Sequence, residues 1–145
     1  MFLEIKNFLT DKECDLIIKK CSALIDKKKV NNEFNRQGNS VEFEKYKELS
    51  DIDKLICERL TFFIKSRLSH FEHRGTNEKF HPRILSCIIM LTDNENADLV
   101  FPRHDINIKT EKRKFVSFLP HQCYEHYMNN NSNENRDVIV TWLID

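Results

Sequence analysis

The sequence lacks several things, and each lack excludes a class of protein. It has no surplus of charge: 23 Lys and Arg balance 23 Asp and Glu. A protein that binds nucleic acid or an anionic membrane through bulk charge is therefore disfavoured, and nucleic acid is not an expected partner. No CxxC pair is present. The five cysteines, Cys14, Cys21, Cys57, Cys87 and Cys123, are odd in number and scattered, which disfavours a zinc ribbon or a disulfide framework. The first four fall on apolar faces, as reduced core thiols do. With no long apolar run and an early acid, Glu4, neither a signal peptide nor a membrane span is expected, and the reducing cytoplasm is the expected compartment. Glycine is scarce, with two in the chain; one lies in the polar stretch 31–40, which reads as a loop. No internal repeat is visible.

What is present suffices for one core. Eleven Phe among 145 residues, with many aliphatics, predict a single packed domain over 1–145. The basic run of Lys109, Lys112, Arg113 and Lys114 reads as a solvated hairpin. Residues 2–8 alternate loosely and predict a short edge strand. Thr10 and Glu13 form a capping box ahead of Cys14, Ile17, Ile18, Cys21 and Ile25, with Leu9 and Cys14 placed as a hydrophobic staple. The lysines at 27–29 suit that helix's C-terminal end. A second helix opens at Ser50, with Asp53 as capping partner, carries Ile52, Leu55, Ile56, Leu60 and Phe63 at helical spacing, and ends near Lys65. Short strands then follow at 68–73, 84–91, 98–101, 105–108, 114–119 and 137–143, with 129–135 a mobile loop. Two helices followed by about six strands predict an all-β core with helical support.

The richest stretch for chemistry is the last, YEHYMNNNSNENRDVIVTWLID. His126 stands ten positions before Arg136, which opens the β-branched run Val138, Ile139, Val140 and Thr141, a predicted buried strand. A cation at such an entrance is costly unless an anion meets it. Upstream, His70 and Glu72 lie two apart, so on a strand both leave one face. A His-x-acid pair with a distant His is the donor set of the non-haem iron facial triad, which leaves three coordination positions open. Singly, each of these residues reads as an ordinary solvated or hydrogen-bonded side chain; their order along the chain is what points to chemistry.

On these residues the chain resembles the prolyl-hydroxylase-like 2-oxoglutarate/Fe(II)-dependent dioxygenases. That family closes on a His, an Arg or Lys ten residues later, and a strand ending in Trp, matched here by His126, Arg136 and Trp142. Arg83, Ser86, Met90-Leu91-Thr92 and Phe101-Pro102 stand where the family has Arg, Thr, Tyr-Leu-Asn and Phe-Pro, and FLTDKECDLI at 8–17 looks like its opening helix. The resemblance covers nearly the whole chain, with 27–66 matched only in outline. It implies an α+β fold, with a double-stranded β-helix (jelly-roll) core and two supporting N-terminal helices. It implies Fe(II) held by His70, Glu72 and His126, and 2-oxoglutarate contacted by Arg136, Met90 and Trp142, with ascorbate as an optional accessory. The implied reaction is decarboxylation of 2-oxoglutarate to succinate, coupled through dioxygen to hydroxylation of a protein or peptide side chain. Arg136 would clamp the distal carboxylate.

The chain departs from the pattern at four places. Glu72 replaces the usual Asp, Met90 or a neighbour replaces a co-substrate-holding tyrosine, Asn96-Ala97 replaces a Gly-Gly turn, and no glycine-rich turn precedes His70. His81 competes as first ligand, but its partner position is Arg83, which cannot ligate a metal. His121 competes with His126 but stands at the wrong distance from the arginine. The departures define an alternative, a catalytically inactive binding or decoy module on the same barrel. A cupin-like binder of another anion is a third reading. Substrate choice would fall to the loops at about 31–48 and 74–80, with Phe43 and Tyr46 as lid candidates.

Overall fold

The computed structural model describes residues 2–26, 41–68 and 83–144. The chain divides into two compact units, residues 1–15 with 77–145, and residues 16–76. Among the described residues the first unit contains strands β1 (Phe2–Ile5), β2 (Arg83–Met90), β3 (Asn94–Phe101), β4 (Ile106–Thr110), β5 (Phe115–Phe118), β6 (Tyr127–Asn130) and β7 (Val138–Ile144). They form two sheets with strand orders β1-β5-β2-β7 and β4-β3-β6, and every pairing is antiparallel.

Strand alternation sends one set of side chains from both sheets into a shared interior. Ile88 and Met90 enter from β2, Leu99 and Phe101 from β3, Ile108 from β4, and Val116 and Phe118 from β5, with Val138 of β7 packed against them. The other face of the larger sheet is also buried at Leu85, Cys87, Ile89, Phe115 and Ser117. Phe8 stacks on Phe115 there, with ring centroids 4.7 Å apart. Burial on both faces explains why β2 and β5 read as continuous apolar runs. The result is the expected α+β fold with a jelly-roll-like core.

The helix start encoded by Thr10 and Glu13 is present. Thr10 N donates to Glu13 Oε1 (2.8 Å) and Glu13 N to Thr10 Oγ1 (3.1 Å), at the head of α1 (Asp11–Asp26). Leu9 and Cys14, the staple pair, are both buried. In the second unit α1 buries Ile17 and Leu24. There, short 3-10 helices at Phe43–Lys45 and Lys47–Leu49 lead into α2 (Ser50–Leu68). Its buried line is Ile52, Ile56, Leu60 and Ile64, which leaves Cys57 outside it. Among the described residues no helix is long and apolar enough to cross a membrane.

Several expectations are corrected. Helix α2 runs to Leu68, past the expected end near Lys65 and into the expected strand 68–73; 69–73 lies outside the described residues, as do the lysines at 27–29 and the loops 31–40 and 74–80. Part of the expected mobile loop is strand β6, held by pairing with β3 at Ala97↔Asn130, Asp98↔Asn129 and Leu99↔Met128. The run 138–141 is not uniformly buried: Ile139 is 8% exposed but Val140 is 43% exposed, because β7 lies at the end of its sheet's strand order. Cys57 is exposed rather than a core thiol. Lys114 is not solvated. Its side chain is 3% exposed and its Nζ meets Glu111 Oε1 at 2.8 Å and Glu4 Oε1 at 3.0 Å. Burial works against its charge, but these hydrogen bonds outweigh it and raise its pKa. They tie β1 to the β4–β5 hairpin, where Arg113 holds a left-handed φ of 76° through hydrogen bonds to Met90 O and from Phe8 N.

Candidate active site

Of the proposed site residues, His126, Arg136, Met90 and Trp142 are described, and all four belong to the strand unit. His70 and Glu72, with the competing His81, lie outside the described residues.

His126 directly precedes β6. The register that pairs Tyr127 with Val100 carries it beside Phe101 at the end of β3. Its ring lies 4.7 Å from that of Phe118, edge to face, and 5.4 Å from that of Phe101. Phe101 and Phe118 in turn touch each other at 4.9 Å, and Phe2, His104 and Tyr124 extend the aromatic cluster. The Nδ1 of His126 is 2.9 Å from the Tyr124 carbonyl oxygen. A carbonyl only accepts, so Nδ1 carries the proton and Nε2 carries the free lone pair of the neutral ring. The residue as a whole is exposed, but the rings packed on its imidazole desolvate it enough to push its pKa down, favouring that neutral form. These are the requirements of a histidine metal ligand, with the second nitrogen fixed by a backbone oxygen. His121 differs: its Nδ1 accepts from Cys123 N (3.2 Å) and caps a short 3-10 turn.

Arg136 stands two residues before Val138, the first residue of β7. The adjacent backbone is tied down by Leu91 N to Asp137 O (2.9 Å) and Asp137 N to Thr92 Oγ1 (3.1 Å). Burial lowers the guanidinium pKa, and its Nε is buried without a hydrogen-bond partner among the described residues. An orphaned donor on a desolvated cation is what a bound carboxylate would satisfy. Met90, opposite Val138, is fully buried, and its sulfur accepts from Glu111 N at 3.4 Å. Trp142 pairs with Ser86 at the other end of β7 and is 41% exposed. Ser86 also pairs with Phe118, so His126 and Trp142 share one level of the barrel. Four residue pairs, roughly 13 Å of strand rise, separate that level from Met90 and Val138.

Sequence reasoning passed over Asn94 and Thr110, which face each other across β3 and β4 and are 1% and 3% exposed. Nothing in a lone Asn or Thr marks burial; the pairing of the strands does. Among the described residues no group of three or more His, Cys, Asp or Glu side chains is placed to hold a metal.

No family model and no curated protein sequence matches the chain. Solved structures do. A Pseudomonas putida prolyl-4-hydroxylase superposes with a TM-score of 0.65 at 10% identity, covering 99% of this chain and 91% of that one. The viral collagen prolyl hydroxylase of Paramecium Bursaria Chlorella virus-1, in its 2OG complex, gives 0.58 at 16% identity, covering 97% and 93%. The fold is that of the prolyl hydroxylases. A third structure with the prolyl-hydroxylase fold, from Trichoplax adhaerens, is in complex with a hypoxia inducible factor oxygen degradation domain peptide fragment; it gives 0.60 at 16% identity, covering 99% and 83%. Within this prolyl-hydroxylase fold His126 and Arg136 occupy two levels of one barrel and reach it from neighbouring segments of the chain.

Proposed function

We propose that this chain is an Fe(II)- and 2-oxoglutarate-dependent dioxygenase that hydroxylates a side chain of a protein or peptide, acting as one domain over residues 1–145. The observation that carries the reading is a pair of groups within a prolyl-hydroxylase fold: the Nε2 of His126, left as the lone-pair nitrogen by the Nδ1 contact to Tyr124 O, and the buried Nε of Arg136, which has no partner among the described residues. Fe(II) and 2-oxoglutarate, when bound, supply oxidative decarboxylation to succinate and, with dioxygen, hydroxylation of the substrate; ascorbate is an optional accessory. His126 binds the metal through Nε2, while the Tyr124 carbonyl fixes its tautomer and Phe101 and Phe118 hold its ring plane. His70 and Glu72 complete the ligand set on the strength of their His-x-acid spacing. Arg136 receives the distal carboxylate, and the scarcity of water around it strengthens that pair. Trp142 lines the end of the barrel that the substrate approaches, and a peptide is the substrate class favoured by the Trichoplax adhaerens complex.

One observation favours the inactive binding or decoy module. Met90, standing for the family's tyrosine, is sealed and its sulfur already accepts a backbone N–H, so that position offers no hydroxyl to a co-substrate. Incubation in air with Fe(II) and 2-oxoglutarate separates the readings. The expected result is slow succinate formation without added substrate, reduced to background by His126→Ala. Neither succinate nor 2-oxoglutarate binding by the wild-type protein would overturn the dioxygenase reading in favour of the module.

A further inference from the structure

We infer that Asn94 and Thr110, together with Arg136, form the seat of the distal carboxylate of the dicarboxylate co-substrate, filling the role left vacant by Met90. The assignment rests on the function proposed above and specifies which groups of this chain select the ligand.

Five buried side-chain atoms have no hydrogen-bond partner among the described residues: Asn94 Nδ2, Asp98 Oδ1, Thr110 Oγ1, Ser117 Oγ and Arg136 Nε. Their distribution is not random. Thr110 shares the inner face of β4 with Ile108, a member of the interior cluster, and Asn94 is its direct cross-strand partner, so Asn94 and Thr110 point to the same side. Asp98 and Ser117 instead follow the alternation to the outer faces of their strands: Asp98 pairs with Lys109, and Ser117 neighbours the inward Val116 and Phe118. Arg136 belongs to the same end of the barrel as Asn94. Ser132 Oγ meets Asn94 Oδ1 at 3.3 Å and Asp137 N meets Thr92 Oγ1 at 3.1 Å, so the segment bearing Arg136 is anchored at both ends to the 92–94 turn.

The amide of Asn94 has a fixed sense. Its Oδ1 accepts the backbone N–H of Asn96 at 3.0 Å, and a backbone N–H can only donate; the NH2 end is therefore the unpartnered one. Three groups able to donate, one of them on a cation, thus remain unsatisfied near one end of the interior. An internal water accepts at most two hydrogen bonds and carries no charge to offset a guanidinium. A carboxylate offers about four lone-pair positions and the compensating charge. These donors suit an anion with a flat, two-oxygen head, such as the distal carboxylate of 2-oxoglutarate.

Calorimetry on the Mn(II)-loaded protein without oxygen tests this, with 2-oxoglutarate as the probe and 2-oxopentanoate, which lacks the distal carboxylate, as its control. Thr110→Val keeps the side-chain volume, and Asn94→Asp keeps the acceptor for Asn96 N–H while replacing the donor by a negative charge. Each substitution is expected to weaken 2-oxoglutarate binding by about tenfold or more, the worth of one hydrogen bond to a charged group. Mn(II) affinity should stay at its wild-type value, and the preference for 2-oxoglutarate over 2-oxopentanoate should narrow. Wild-type 2-oxoglutarate affinity in both variants would overturn the seat and leave the dioxygenase reading standing. Equal losses of Mn(II) and 2-oxoglutarate affinity would reduce the two residues to a structural role and also overturn it. A wild-type protein that binds neither oxo acid would overturn both.

Discussion

Individual side chains in this chain are separated chiefly by how much water the fold leaves them. Cys87 is fully buried in the middle of β2, and burial alone pushes its thiol up to about 12. Cys14 is buried and raised for the same leading reason, whereas Cys57 and Cys123 are exposed. The thiolate is the reactive form, so a maleimide or iodoacetamide should label Cys57 and Cys123 in the native protein. Cys14 and Cys87 should label only in denaturant. Mass spectrometry of the labelled peptides checks this, and native-state labelling of Cys87 would contradict its placement. The apolar-face reading of the sequence was right for Cys14 and Cys87 and wrong for Cys57. One residue past Ile56, Cys57 misses the buried line that repeats every fourth position of α2.

Between elements, the least expected tie is Lys114. The hydrogen bond it donates to Glu111 holds that carboxyl below its ordinary range. A carboxyl depressed in the folded state contributes stability that is full above its unfolded pKa and is lost as pH falls through the lowered one. Both carboxylates are partly exposed, which screens the pair, so Lys114→Met should cost about 1 kcal/mol at neutral pH and flatten the acid limb of a plot of unfolding free energy against pH. An acid limb identical to wild type would contradict the assigned linkage. A lysine in a basic run gives no local sign of this, because Glu4 is brought to it only by the β1–β5 pairing. Strand β6 was hidden for a similar reason. Tyr127–Asn130 is half asparagine, with little intrinsic strand preference, and its strand form comes from the ladder with β3. In contrast β2, β5 and the head of α1 were legible, since continuous apolar runs and a reciprocal capping box are local signals.

For the molecule as a whole, the topology sets out an imidazole among aromatic rings at one level and, towards the other, a desolvated guanidinium with two side chains, Asn94 and Thr110, that each keep one buried polar atom without a partner among the described residues. The spacing of His126 and Arg136 was readable because both lie in one contiguous stretch. Asn94 and Thr110 were not, because their burial depends on the bulged pairing of β3 with β4. Met90 was readable as a departure, but its engagement with Glu111 N–H needed the hairpin. The most direct test is a crystal structure of the protein grown without oxygen in Mn(II) and 2-oxoglutarate. The predicted result is one metal bound by His126 Nε2 with His70 and Glu72, and a 2-oxoglutarate whose distal carboxylate lies on Arg136. A metal bound away from His126, or a 2-oxoglutarate that leaves Arg136 unpaired, would contradict the account.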